Sequence, residues 1–315
     1  MTDLSSIAGL PVDAASAWVF PGQGAQAVGM GRDLYDEVPA ARAIFDAADE
    51  ALDIPLSRIC FDGPEDELTR TVNTQPALVT HAIAALAAAL DAGTVTSRPG
   101  LAAGHSLGEY AALIAAGAVS FEDGVRLVRE RGRLMQEACD AQPSTMAAVI
   151  GLEPDVLREA CEATGASICN INAPGNITIG GTTESVDRAI RAATEAGASR
   201  IVPLAVAGAF HTPLMESAAE RMRQVLAGVE FREPAIPVVS NVTARPMSEA
   251  GDLAEELAVQ ITSPVLWLDS VRVMQAAGVG KIVEFGPGRV LTGLIRRIDR
   301  GITTRNIGTV EEARG

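Results

Sequence analysis

Apolar and polar positions along this chain fall into two rhythms. An apolar run from Ala17 to Phe20 ends in the turn Pro21-Gly22-Gln23-Gly24, which predicts a strand and a Gly-rich turn, with helices following to about Ala51. An Ala-rich apolar stretch from Ala77 to Leu90 predicts a buried helix, too short to span a bilayer and interrupted by His81. A short strand is expected near Gly100 to Ala103, then the turn Gly104-His105-Ser106-Leu107-Gly108. An apolar helix from Glu109 and an amphipathic one from about Phe121 to Ala138 come next. Strands alternating with helices predict a parallel sheet covered on both faces.

The rhythm changes between about Gln142 and Ala207. Thr145 to Ile150 reads as a strand, Pro154 to Ala163 as a helix, and Ser167 to Asn172 and Ile177 to Ile179 as strands around Pro174-Gly175-Asn176. Glu184 to Ala196 reads as a helix and Arg200 to Val206 as a strand. That order, βαββαβ, is the ferredoxin-like pattern. The expected division is therefore a catalytic α/β core over 1–141 and 208–315, with a ferredoxin-like subdomain inserted over 142–207. Val238 to Asn241 and Lys281 to Phe285 are expected to complete the main sheet.

The 315 residues, 48% of them apolar, can bury a substantial core. Forty acids against 25 bases give a formal charge of −15, which disfavours nucleic acid as a partner. All the bases but Lys281 are arginine. Cys60, Cys139, Cys161 and Cys169 form no CxxC pair and lie outside metal-ligand spacing of a histidine, so free thiols in a reducing compartment are expected. Met1 to Leu10 lacks the basic and apolar regions of a secretory signal, so a cytoplasmic location is expected.

Gly104 to Gly108 matches G-x-S-x-G between a predicted strand and a helix, the setting that lifts a serine hydroxyl clear of the backbone. Ser106 is the candidate nucleophile, and the Leu107 N–H at the helix start a candidate oxyanion donor. Of three histidines, His81 lies in the apolar helix and is expected to be a satisfied core residue. His105 adjoins Ser106 and should project away, which leaves His211 as the base by elimination. No acid between Ser106 and His211 is singled out as the third member.

Gly22-Gln23-Gly24-Ala25-Gln26-Ala27 also fits G-x-G-x-x-A, but the region about 20 residues on reads as helix where a dinucleotide fold needs a strand. A loop that brings backbone close to a substrate fits better, with the Gln23 N–H as a second oxyanion donor. Arg131 precedes Gly132 on a thinned helix face, where a buried guanidinium can hold a carboxylate through two parallel hydrogen bonds.

These motifs, with Thr74-Gln75-Pro76-Ala77, Ala209-Phe210-His211, Ser240-Asn241-Val242-Thr243 and Glu284-Phe285-Gly286-Pro287-Gly288, resemble the malonyl-CoA:acyl-carrier-protein transacylases and polyketide synthase acyltransferase domains from Phe20 to about Arg297. The resemblance implies a hydrolase-like α/β core and a Ser106–His211 dyad. It also implies that Gln260 orients His211, Arg131 holds the malonyl carboxylate, and Gln23 and Leu107 occupy the oxyanion-hole positions. In that family Ala-Phe-His goes with malonyl and Ala-Ser-His with methylmalonyl, so the resemblance implies through Phe210 a malonyl donor. Asn176, where the family pattern carries Gln, is one departure.

The expected activity is ping-pong transfer of malonyl from malonyl-CoA to the phosphopantetheine thiol of acyl carrier protein, for fatty acid or polyketide extension. No cofactor or metal is expected, and the chain is expected to act as a monomer. A serine esterase or thioesterase is the alternative, though 104 residues follow His211 where such hydrolases place the histidine near the C-terminus. A non-catalytic carrier-docking module would need neither the serine turn nor Arg131. Arg296, Arg297, Arg300 and Arg70 are candidates for a cationic docking zone on the acidic surface.

Overall fold

The computed structural model of the chain describes residues 4–315, and the first three residues of the N-terminal stretch considered above lie outside them. Among the described residues ten strands form two sheets. The larger contains β1 (Val12–Phe20), β2 (Arg98–Gly104), β7 (Val238–Val239), β8 (Pro246–Met247), β9 (Lys281–Phe285) and β10 (Thr303–Ile307). Its order is β10-β9-β1-β2-β7-β8, parallel throughout except for the β7–β8 pair.

The five residues Ser16 to Phe20 of β1 are buried, as a central parallel strand requires. Successive side chains leave opposite faces, so the run feeds two cores. Trp18 and Phe20 meet Phe285, with ring centroids 5.5 Å and 5.9 Å away, and join the main apolar cluster with the Ala-rich helix. Ala17 and Val19 face Trp267, Val271, Ile282 and Leu291 in the second cluster.

The smaller sheet contains β3 (Ser144–Ile150), β4 (Ser167–Ala173), β5 (Asn176–Thr182) and β6 (Arg200–Pro203), in the antiparallel order β4-β5-β3-β6. Helices Pro154–Thr164 and Thr183–Glu195 bury Leu157, Cys161, Val186 and Ala189 in one cluster with Val149, Ile177 and Ile179. This sheet is tied to the rest of the chain along β4. The Ile171 N–H donates to the Val265 carbonyl (2.9 Å), and the Val265 N–H donates to that of Cys169 (2.8 Å).

Several expected elements differ in extent. The Ala-rich helix spans Thr71–Asp91 and runs through Pro76, the strand expected to reach Asn241 stops at Val239, and that expected to reach Val206 stops at Pro203. β8 and β10 complete the main sheet beyond the strands expected from the sequence.

The Ala-rich helix and helix Phe121–Ala141 approach closely at Gly132, where a Cβ would lie 2.6 Å from the Thr71 carbonyl oxygen. Backbone therefore touches backbone. The next residue back, Arg131, reaches Gln75 one turn along the facing helix, and this contact anchors the site.

Candidate active site

Ser106 follows β2 at the carboxyl end of a parallel strand, the end at which α/β sheets place their ligands. Its φ is +51°, a left-handed conformation costing on the order of 1 kcal/mol or more for a non-glycine residue. The flanking glycines make the turn possible by contact as well as conformation. A Cβ on Gly104 would lie 1.9 Å from the Gly108 carbonyl carbon, and one on Gly108 would lie 2.0 Å from the Phe20 oxygen.

Side chains from distant segments hold the turn in place. The Ser106 N–H donates to Asn241 Oδ1 (2.6 Å), and Asn241 Nδ2 donates to the Gly104 carbonyl (2.7 Å). Gln260 Nε2 donates to the Ser106 carbonyl (2.9 Å). Both backbone polar groups of the strained residue are thus satisfied by fixed partners, which offsets the conformational cost.

Ser106 Oγ lies 2.7 Å from His211 Nε2. His211 is 4% exposed and itself has φ +62°, and its Nδ1 is 2.8 Å from the Gln260 backbone carbonyl. A carbonyl only accepts, so Nδ1 carries the proton and Nε2 is left to receive one from the serine. Burial first, and then the Arg131 charge, pull the His211 pKa down to about 3. The imidazole is therefore neutral at physiological pH.

Arg131 is 1% exposed, and its guanidinium reaches Ser106 directly: Nη2 donates to Ser106 Oγ (3.1 Å) and to Gln260 Oε1 (2.9 Å), and Nη1 donates to Gln75 Oε1 (2.9 Å). Nε is buried without a partner. Nε and Nη2 share one edge of the planar group, so the edge bearing the unpaired donor also carries the nitrogen that donates to Ser106 Oγ. Tyr110 lies beneath, 5.7 Å from the guanidinium carbon to its ring centroid. Burial depresses the Arg131 pKa, while Tyr110 and Glu109 oppose that shift.

Gln23 is half-buried in the turn after β1, and Leu107 is buried at the start of helix Gly108–Ala115. Among the described residues neither backbone N–H has a protein acceptor. Phe210 is 7% exposed and joins the main core beside His211. His105 turns away as expected, its Nε2 2.9 Å from Asn172 Oδ1. His81 is buried at 1% exposure, but its Nδ1 lacks a partner, so it is less well satisfied than the sequence suggested.

Glu109, Asn241 and Gln75 complete the constellation and were given no role on sequence grounds. Gln75 and Asn241 sit in motifs noted above, and Glu109, directly after the serine turn, is the one acid in the otherwise apolar run Gly108 to Ala115. Among the described residues no cluster of three or more His, Cys, Asp or Glu could hold a metal ion. No described helix is long and apolar enough to cross a membrane.

A serine on a strand-to-helix turn, within hydrogen-bond reach of a neutral histidine and close to two open N–H groups, has the geometry that acyl transfer uses. The chain belongs to the acyl transferase domain family, whose sequence model matches residues 17–306. Within that family it is similar to malonyl CoA-acyl carrier protein transacylases. It is 44% identical to that of Bacillus subtilis (strain 168) over 293 residues, 91% of this chain and 92% of the relative, and 39% identical to that of Staphylococcus aureus (strain MRSA252), over 95% and 97%. Its fold matches the acyl carrier protein S-malonyltransferase of Vibrio cholerae O1 biovar eltor with a TM-score of 0.92 at 39% identity, covering 95% and 98% of the two chains. A malonyl-transacylase solved in complex with its type II PKS acyl-carrier protein matches with a TM-score of 0.91 at 39% identity, over 95% and 98%.

Proposed function

We propose that this chain transfers a malonyl group from malonyl-CoA to the phosphopantetheine thiol of acyl carrier protein through an ester on Ser106. The observation that carries the malonyl assignment is the Arg131 edge, a buried guanidinium with an unpaired Nε and an Nη2 3.1 Å from the nucleophile. A desolvated cation in that position suits a planar anion a few atoms from the reacting carbonyl, which malonyl supplies and acetyl does not.

In the first half-reaction Ser106 Oγ attacks the thioester carbonyl as its proton passes to His211 Nε2. The Gln260 carbonyl stabilises the imidazolium through Nδ1–H, and so supplies the part an acid plays in a triad. It does so through its backbone, while its amide serves the turn and the arginine. The Leu107 and Gln23 N–H groups stabilise the tetrahedral oxyanion. Collapse breaks the C–S bond, and the departing CoA sulfur takes the proton from His211. The second half-reaction reverses these steps: His211 accepts the carrier thiol's proton, sulfur attacks the ester, and Ser106 leaves with that proton. Phe210 shapes the acyl pocket beside the histidine.

We assign residues 142–207, which contain β3 to β6, as a ferredoxin-like subdomain inserted into a core of 1–141 and 208–315. Every group in this mechanism comes from one chain, so a monomer suffices, and four free, buried thiols suit the cytoplasm. Incubation with malonyl-CoA, without a carrier thiol, should add one malonyl group, localised to Ser106 by peptide mapping and absent from Ser106→Ala. A wild-type protein that gains no mass from intact donor would refute the mechanism.

A further inference from the structure

Arg131 does not aim itself. Its Nη2 is held by Gln260 Oε1, and an amide can present either its oxygen or its nitrogen. Two acceptors face the amide nitrogen and so decide its orientation: the Ser106 carbonyl (2.9 Å) and the carboxyl of Glu109, which is fully buried on the first turn of helix Gly108–Ala115. One of its carboxyl oxygens accepts from Gln260 Nε2, and the other accepts from the Asn241 N–H (3.1 Å). Burial first, and then the neighbouring Glu256, hold its pKa well above the usual carboxylate range, against the smaller pull of the Gln260 and Asn241 donors and the Arg131 charge.

We propose that Glu109 is a positioning residue for donor selectivity: by accepting from Gln260 Nε2 it fixes the amide with Oε1 toward Arg131, and so aims the guanidinium edge at the substrate carboxylate. The proposal rests on the reading of Arg131 as the malonyl clamp. Polarity runs in one direction along the chain of contacts. Glu109 accepts, Gln260 donates to it and accepts in turn, and Arg131 donates. A buried guanidinium has only donors, so reversing the amide would set Gln260 Nε2 against Nη2, donor against donor. The same carboxyl fixes Asn241, whose Oδ1 receives the Ser106 N–H, and thereby couples the serine turn to the arginine.

Glu109→Gln preserves shape but offers one acceptor where two are needed. The Asn241 N–H belongs to the backbone and cannot turn, so it keeps the oxygen. The new amide nitrogen then faces Gln260 Nε2, and the Gln260 amide must either shift away or turn at the expense of its bond to the Ser106 carbonyl; both displace Oε1 from Arg131. Glu109→Asp is shorter but remains able to accept at both oxygens.

The test measures kcat/KM for malonyl-CoA and acetyl-CoA with each variant and with Arg131→Ala. The ratio of the two, measured on one preparation, is independent of the fraction of enzyme folded. Loss of an oriented hydrogen bond to a charged group predicts a fall in the malonyl-to-acetyl ratio of about 10- to 100-fold for Glu109→Gln. Glu109→Asp should retain a ratio closer to wild type, and this comparison with wild type decides if the Gln variant does not fold. A role in packing alone predicts the opposite order, with the isosteric Gln tolerated better than Asp. An unchanged ratio in Glu109→Gln, alongside a collapsed ratio in Arg131→Ala, overturns the role of Glu109 alone. An unchanged ratio in Arg131→Ala overturns the clamp and this proposal together.

Discussion

Arg131→Ala separates two contributions that the geometry places in one side chain. The guanidinium bonds Ser106 Oγ, which affects every acyl donor, and it offers its Nε edge to a carboxylate, which affects malonyl alone. Removing one partner of a buried, paired charge typically costs about 3 kcal/mol or more, which is roughly 10²-fold or more in kcat/KM. Loss of the Ser106 contact falls equally on malonyl and acetyl and cancels in their ratio. The malonyl-to-acetyl ratio should therefore drop by about 10²-fold or more, with acetyl transfer losing only what the Ser106 contact contributes and gaining from the removal of a buried cation opposite an apolar methyl group. Gln75 Oε1 and Gln260 Oε1 lose their donor in the same variant, so a lower Tm is expected alongside. Arg131→Lys should restore little, because an ammonium cannot present two parallel donors. Steady-state kinetics with both donors decides the matter: an equal fall for both would show that Arg131 is structural and that the carboxylate binds elsewhere.

Replacing His211 by Ala should cost at least about 10²-fold in the rate of Ser106 acylation, followed by rapid-quench mass spectrometry, whereas His81→Ala should lower Tm with the acylation rate kept. Equal losses in two folded variants would show that His211 is not the base. Burial holds His211 at about 3 and His81 at about 4, both below the ordinary 6.5, so the folded chain refuses protons that the unfolded chain accepts between those values. Their contribution is complete above pH 6.5 and is lost as pH falls toward 3, by up to about 1.4 kcal/mol per pH unit for each, which denaturant melts from pH 7 to 5 should register. A stability independent of pH over that range would contradict buried, neutral imidazoles. Arg296, Arg297 and Arg300 are exposed and line a cavity of about 700 Å³ with Pro174, whereas Arg70 is paired with Glu67. Arg296→Glu with Arg297→Glu should raise the carrier-protein KM and weaken its salt dependence, and an unchanged KM at low salt would remove the zone from consideration.

What could be read from the sequence was local. The serine turn declares itself within five residues, because two glycines and a strand-to-helix change are what the conformation needs. His211 followed from the scarcity of histidines, and Arg131 from its neighbour Gly132, whose missing side chain lets two helices touch. Glu109, Asn241 and Gln75 escaped because their partners lie far along the chain: Glu109 is 132 residues from Asn241 and 151 from Gln260. A lone acid in an apolar octapeptide was the signal available for Glu109. Gln260 was tied to His211 through the family resemblance, but that its backbone, and not its amide, would face the imidazole depends on how helix Ala250–Val259 ends. β8 is too short to show a period, and β10, Thr303 to Ile307, is mostly polar and half-exposed, which hides a sheet-edge strand from any apolar pattern.

The two hydrogen bonds between Val265 and β4 lie five residues along the chain from Gln260, whose carbonyl accepts from His211 Nδ1. That short span works as a strut with one end in the smaller sheet and the other against the imidazole. His105 braces the opposite side of the nucleophile, since its ring reaches Asn172 on the same β4. Any rocking of the smaller sheet would pull on both attachments and draw serine and histidine out of register, so β4 holds the pair in alignment from two sides.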